Sequence, residues 1–182
     1  QQVLGASLGA AAINQGIKAV AVGLLAILIF MLLFYKGAGI NAVVAQILNL
    51  YIMFSILSAF NLTLTLPSIA GMILTIGMAV DANVIIFERI KEELSMGKSR
   101  QAAIVTGFDN AFWAIMDSNI TTFIAAIFLS QLGTGAIQGF AVSLAIGVLS
   151  SVFTALFVSR LIFDFDTDVL HAQKVSISWR IK

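Results

Sequence analysis

Asp81 is the residue best placed to do chemistry, because it interrupts a run, 66–87, that holds no other charge. An ionised carboxylate near the centre of a bilayer costs at least ~2.5–3.5 kcal/mol, so it survives only with a partner, water or a bound proton. A second carboxylate opens the stretch Asp117-Ser118-Asn119-Ile120-Thr121-Thr122, whose hydroxyl and amide groups can hold water or a proton chain. Read as spans, the two segments run in opposite directions. At ~1.5 Å per residue, Asp81 then lies about 9 Å and Asp117 about 8 Å from the same membrane face. Matched depth makes one polar passage, lined by Asp81, Asp117, Asn119 and Thr122, the expected proton pathway. Two roles stay open for Asp117: a relay group, or a cap that bonds a neighbouring helix near the interface. Gly77, one turn before Asp81, would admit a neighbouring helix or water.

No lysine or arginine inside the spans is placed to pair with Asp81; Arg160, near the end of the last span, is expected to reach out to the interface. Asp81 is therefore either protonated or paired with a cation on another segment. Two aspartates sharing a proton could instead form a proteolytic dyad. The Gly-Xaa-Gly-Asp pattern expected around such an aspartate is missing, so no catalytic residue and no enzyme activity are expected. The single His171 lies in a polar tail and there is no cysteine, which leaves no metal site and no disulfide framework.

Composition sets the class of protein that positions these groups. The chain is 60% hydrophobic and 10% charged, with a mean hydropathy of +1.03. A soluble chain carries about 25% charged residues. The expected fold is an all-α, polytopic transmembrane bundle. A bilayer core takes ~20 apolar residues per helix, and five segments qualify: 17–35, 40–60, 66–87, 112–132 and 137–163. Residues 1–16 read as an extracytoplasmic lead-in and 164–182 as a cytoplasmic tail or linker. Residues 88–111 read as an interfacial loop, with Ala102, Ile104 and Val105 on the lipid and Lys98, Arg100 and Gln101 in water. Of the ten Lys and Arg residues, only Lys18 falls near the opposite face from the rest. That bias places the N-terminus outside and the C-terminus in the cytoplasm. With no initiating Met or leader pattern, the chain is expected to be a fragment of a longer polypeptide.

Two spans carry further signals. Gln46 and Asn49 share a helical face in the second, which fits either interhelical hydrogen bonds or a part in a pathway. The last span repeats small residues every four positions: Gly139, Ser143, Gly147, Ser151, Ala155 and Ser159. Such a stripe lets two helix backbones approach closely, so burial against another helix is expected, with a sliding seam as the alternative.

The run Leu74-Thr75-Ile76-Gly77-Met78-Ala79-Val80-Asp81-Ala82-Asn83-Val84-Ile85-Ile86-Phe87-Glu88-Arg89-Ile90-Lys91-Glu92-Glu93-Leu94 closely resembles the SecD family of bacterial protein-export membrane components, within the resistance–nodulation–division superfamily. Ser7-Leu8-Gly9, Gly97-Lys98-Ser99, the Asp117–Thr122 run, and Gly133-Thr134-Gly135 followed by Gly139-Phe140-Ala141-Val142 agree with it, over about residues 4–164. The resemblance implies five spans of a six-helix half, with the first helix and a large periplasmic region missing. It implies a SecF-like subunit or fused half, the SecYEG channel and a translocating preprotein as partners. Protons would be the coupling ion, Asp81 the key carboxylate, and the absent cation would come from the SecF-like half. Membrane lipid surrounds the spans; no nucleic acid and no bound cofactor are expected. Ala6 stands where the family pattern has proline. An efflux-type half of the same superfamily and a structural membrane scaffold are the alternatives; Asp81 speaks against the scaffold.

Overall fold

The computed structural model describes residues 2–61, 65–168 and 177, with side chains for 9–61, 65–166 and 177. The chain is a bundle of long helices: α1 Gln2–Ala59, α2 Leu66–Ser95, α3 Arg100–Leu132, α4 Ala136–Phe153 and α5 Ser159–Asp168. A π turn, Thr154–Val158, joins α4 to α5 in one rod. Four stretches are long and apolar enough to cross a membrane: Gly9–Ala59, Leu66–Ser95, Arg100–Leu132 and Ala136–Asp166.

The first of these, at 51 residues, would be about 77 Å long if straight, more than twice a bilayer core. It is not straight. Lys36 leaves the helical region, with φ 50° and ψ −118°, and the chain folds back on itself. A Cβ on Gly39 would sit 2.3 Å from the carbonyl oxygen of Met31, so only glycine lets the second arm start this close to the first. Further along, Ile13 and Val20 of the first arm pack with Leu50 and Met53 of the second. Each arm is by length enough for a bilayer core, so the first of the four stretches has room for two spans.

α2 is the central element, with α1, α3 and α4 all packed on it. Its start is well defined: Thr65 Oγ1 accepts from the Ser68 amide while Ser68 Oγ accepts from the Thr65 amide, with Pro67 in the first turn. This reciprocal cap satisfies two amides that the helix cannot. The small-residue stripe of α4 meets α2 directly. Ser143 and Ser151 are buried, and a Cβ on Gly147 would come within 2.3–2.7 Å of the Thr75 side chain. Gly139, half-buried, lies beside Thr65 Oγ1. Gly77 differs. A Cβ there would meet nothing within 4 Å: Gly77 shares a face of α2 with Asp81, and among the described residues no helix packs against it.

The segment 88–111 corrects the expectation of an interfacial loop. α2 runs on to Ser95, α3 begins at Arg100, and only residues 96–99 connect them. The charges that suggest a loop in fact support the helices. Arg89 pairs with Glu92 and Lys91 with Glu88, each three residues apart. Ile104, expected on lipid, is fully packed in the main core with Ile90, Phe108 and Ala111. Gly107 lets the backbones close, since a Cβ there would lie 2.9 Å from the Ile90 amide. Arg100, expected in water, pairs with Asp166 of α5. Arg160 does reach the surface, lying 3.8 Å from Asp109. Ile177 is buried in the same core; the remainder of the tail beyond 168, with His171, lies outside the described residues, as do Gln1 and 62–64.

Glu93 is the buried member of this charged end. It is 5% exposed, accepts from Asn110 Nδ2 at 2.9 Å and forms an ion pair with Lys98 Nζ at 2.5 Å. Removing a partner from a buried carboxylate leaves its desolvation uncompensated, typically ~1–3 kcal/mol. Lys98→Met is expected to lower the thermal midpoint in detergent, and Lys98→Met with Glu93→Leu to recover most of the loss. A drop for the double variant as large as for the single one would contradict this account.

Candidate functional site

Asp81 projects from the outer face of α2 and is exposed at the level of this chain. It lines a cleft of about 160 Å³ between α2 and α3, with Met78, Ala82 and Ile85 on one wall and Ile115, Ser118, Asn119 and Thr122 on the other. The polar wall is a product of helical spacing: 115, 118, 119 and 122 fall on one face of α3. Each group donates back to its own helix. Ser118 Oγ donates to the Ile115 carbonyl at 3.1 Å, Asn119 Nδ2 to the same carbonyl at 2.8 Å, and Thr122 Oγ1 to the Ser118 carbonyl at 3.0 Å. With the hydroxyl protons committed, the lone pairs of Ser118 and Thr122 remain as acceptors beside Asp81. The wall thus presents hydroxyl lone pairs together with the Asn119 carboxamide.

Asp117 does not join this cleft. It is exposed on α3, on the order of 150° around the helix from the polar wall at ~100° per residue. Matched depth is not matched direction, and the expected passage shared by the two aspartates is not formed in this chain. Asp81, Asn119 and Thr122 come together; Asp117 stands apart. Among the described residues no cation pairs with Asp81, and no group of three or more His, Cys, Asp or Glu is arranged to hold a metal.

Ile85 borders the cleft and also a wider groove of about 740 Å³, lined by Glu88, Arg89, Lys91 and Glu92. That groove lies at the charged end of α2. Glu88 is held there by Tyr35 Oη at 2.9 Å and Lys91 Nζ at 2.8 Å. The Glu88–Tyr35 bond, which joins positions 53 residues apart, is not legible from the sequence, whereas Ser118 lies in the polar run that the sequence singles out.

Comparison with known proteins bears on what such a cleft belongs to. The family described as "Protein export membrane protein SecD/SecF, C-terminal" matches residues 1–166. This chain belongs to that family. It is similar to the protein translocase subunit SecD of Treponema pallidum, with 72% identity over 181 residues, covering 100% of this chain and 31% of that protein. SecD of Syntrophobacter fumaroxidans is 52% identical over 91% of this chain and 31% of its own length. The crystal structure of SecDF, a translocon-associated membrane protein from Thermus thermophilus, aligns with a TM-score of 0.83 at 44% identity. That alignment covers 86% of this chain and 22% of SecDF. The chain therefore spans about a third of the length of the SecD proteins it matches, and its bundle is a SecD/SecF membrane domain.

Proposed function

We propose that this chain is the membrane part of a SecD-like subunit that couples proton movement to late-stage protein export across the bacterial plasma membrane. The observation that carries the reading is Asp81: a carboxylate on the outer face of the central helix, unpaired among the described residues, beside a wall of hydroxyl and carboxamide groups. A scaffold has no use for a charge in that position, since it costs stability and contributes no packing. The open face of α2 suits a SecF-like half, separate or fused, that supplies the cation Asp81 lacks. Asp117, exposed on α3, takes a place on the proton route only if that half covers it. The SecYEG channel and a translocating preprotein are the remaining partners, and the proton is the coupling ion. The N-terminus lies outside, and the charged end formed by Arg89, Lys91, Lys98, Arg100 and Arg160 lies in the cytoplasm. The subunit acts by transport, with no enzyme chemistry.

The experiment is proton flux in proteoliposomes holding the complete subunit with its partner half. A pH gradient is expected to collapse faster than in empty vesicles, and more steeply while preprotein is being exported. A gradient that decays at the rate of empty vesicles would refute proton coupling.

A further inference from the structure

At the end of the bundle away from Glu88 and Lys91, the first turns of α2 and α4 enclose a cavity of about 310 Å³. Thr65, Ser68, Gly135, Gln138 and Ser143 are among the residues that line it. The volume falls at the lower end of the range for small-molecule sites, ~300–1,000 Å³. Ser143 is the residue that points to a ligand. It is 1% exposed, yet its Oγ makes no hydrogen bond to a described residue, whereas Ser150, Ser151 and Ser159 of the same rod are all bonded. The unpaired amide atoms of Gln46 and Asn49 are wholly enclosed. The Ser143 oxygen is not enclosed in that way, and the open space its residue lines is the cavity. A buried hydroxyl without a partner is costly.

The rest of the wall offers protons. Thr65 Oγ1 accepts from the Ser68 amide and donates to no described group, so its own proton is free. Ser68 Oγ donates to the Thr65 carbonyl at 2.8 Å. In the first turn of α4 the Ile137 amide donates to the Thr134 carbonyl and the Gly139 amide to the Gly135 carbonyl. Gly135 has no side chain to cap the turn, and the amides of Ala136 and Gln138 have no acceptor among the described residues. The cavity thus sits at the positive ends of two helices. No described residue that lines it is charged.

We propose that this cavity binds a phosphate group, supplied by a phospholipid headgroup. Phosphate oxygens only accept, which matches hydroxyl and amide protons brought together by two helix starts. A cation would be repelled by the same protons, and an apolar occupant would leave Ser143 unpaired. The level in the bilayer favours a lipid. Leu66, Leu132 and Ile137, at this end of α2, α3 and α4, are all exposed, so acyl chains cover the bundle up to the cavity and headgroups begin there. A free phosphate ion offers the same oxygens, and the experiment separates the two sources. Asp81 lies roughly four turns along α2 from this end, so the site stands or falls independently of proton coupling.

The test follows the thermal midpoint of the complete subunit with its partner half, stripped of lipid in a neutral detergent. Dihexanoylphosphatidylglycerol, the matching dihexanoylglycerol without phosphate, or inorganic phosphate is added to each sample. The phospholipid is expected to raise the midpoint of the wild type. Ser143→Ala removes only the free hydroxyl and should need about tenfold more phospholipid for the same rise. Without lipid, that variant should melt at or slightly above the wild type, because no bond is lost; a lower midpoint would show a hydroxyl already bonded inside the protein and overturn the site. A Ser143-dependent rise with inorganic phosphate at the same concentrations would keep the phosphate site and make the free ion its ligand. The proposal is overturned if dihexanoylglycerol works as well as the phospholipid, if wild type and variant respond alike, or if neither responds.

Discussion

In the complete translocase, Asp81→Asn is expected to abolish proton-driven stimulation of export and reduce proton flux to that of vesicles without the complex. Asparagine keeps the shape of the side chain but cannot bind and release a proton near neutral pH. Assembly should survive the change. Asp81 is exposed and no ion pair is made to it among the described residues, and such substitutions usually stay within ~0.5 kcal/mol. That combination separates a functional from a structural carboxylate: normal amounts of complex, normal association with the partner half, no coupling. Asp117→Asn is a matched control with a graded expectation. Because Asp117 points away from the cleft, it should retain most of the flux unless the partner half covers it. Normal proton-dependent export by the Asp81 variant would end the proposal, whatever Asp117 does.

Gly147→Leu should prevent the bundle from closing. The Cβ alone would lie 2.3 Å from Thr75 Cγ2 and 2.5 Å from Thr75 Oγ1. Thr75 cannot swing aside freely, since it is fully buried and its hydroxyl is bonded to the Gly71 carbonyl at 2.8 Å. A whole leucine must therefore push α4 away from α2, and overpacking of this kind costs ~1–3 kcal/mol or more. At one of the closest contacts in the molecule the upper end applies, and the folded fraction in detergent should fall severely. The contrast is Gly77→Ala, which meets open space and replaces a flexible helical residue. It should be neutral or stabilising by about 0.5–1 kcal/mol. Size-exclusion profiles and thermal midpoints of the two variants check the pair. A well-folded Gly147→Leu protein would mean that the α2–α4 contact is looser than this geometry.

Much of this architecture follows from local pattern. Apolar runs long enough for a bilayer, separated by charges or by Gly and Pro, locate crossings without any knowledge of packing, because the solvent change is itself the signal. The same physics singles out Asp81, since a lone carboxylate in such a run carries a cost that something must offset. The repeat at Gly139, Ser143, Gly147 and Ser151 likewise specifies a close helix contact from spacing alone. What spacing could not supply was the partner and the direction. Thr75 becomes the surface that Gly147 meets only when α2 and α4 are docked. Asp117 shares its depth with Asp81 but not its face, because depth depends on residue count whereas azimuth depends on how α3 is rotated against α2. Residues 88–111 looked like a surface loop because their charges break the apolar run. Their ion pairs form within and between helices, which becomes visible only once Glu93, Asn110 and Lys98, or Arg100 and Asp166, are brought together. Burial is inscribed in composition and period; pairing between distant positions is a property of the packed fold.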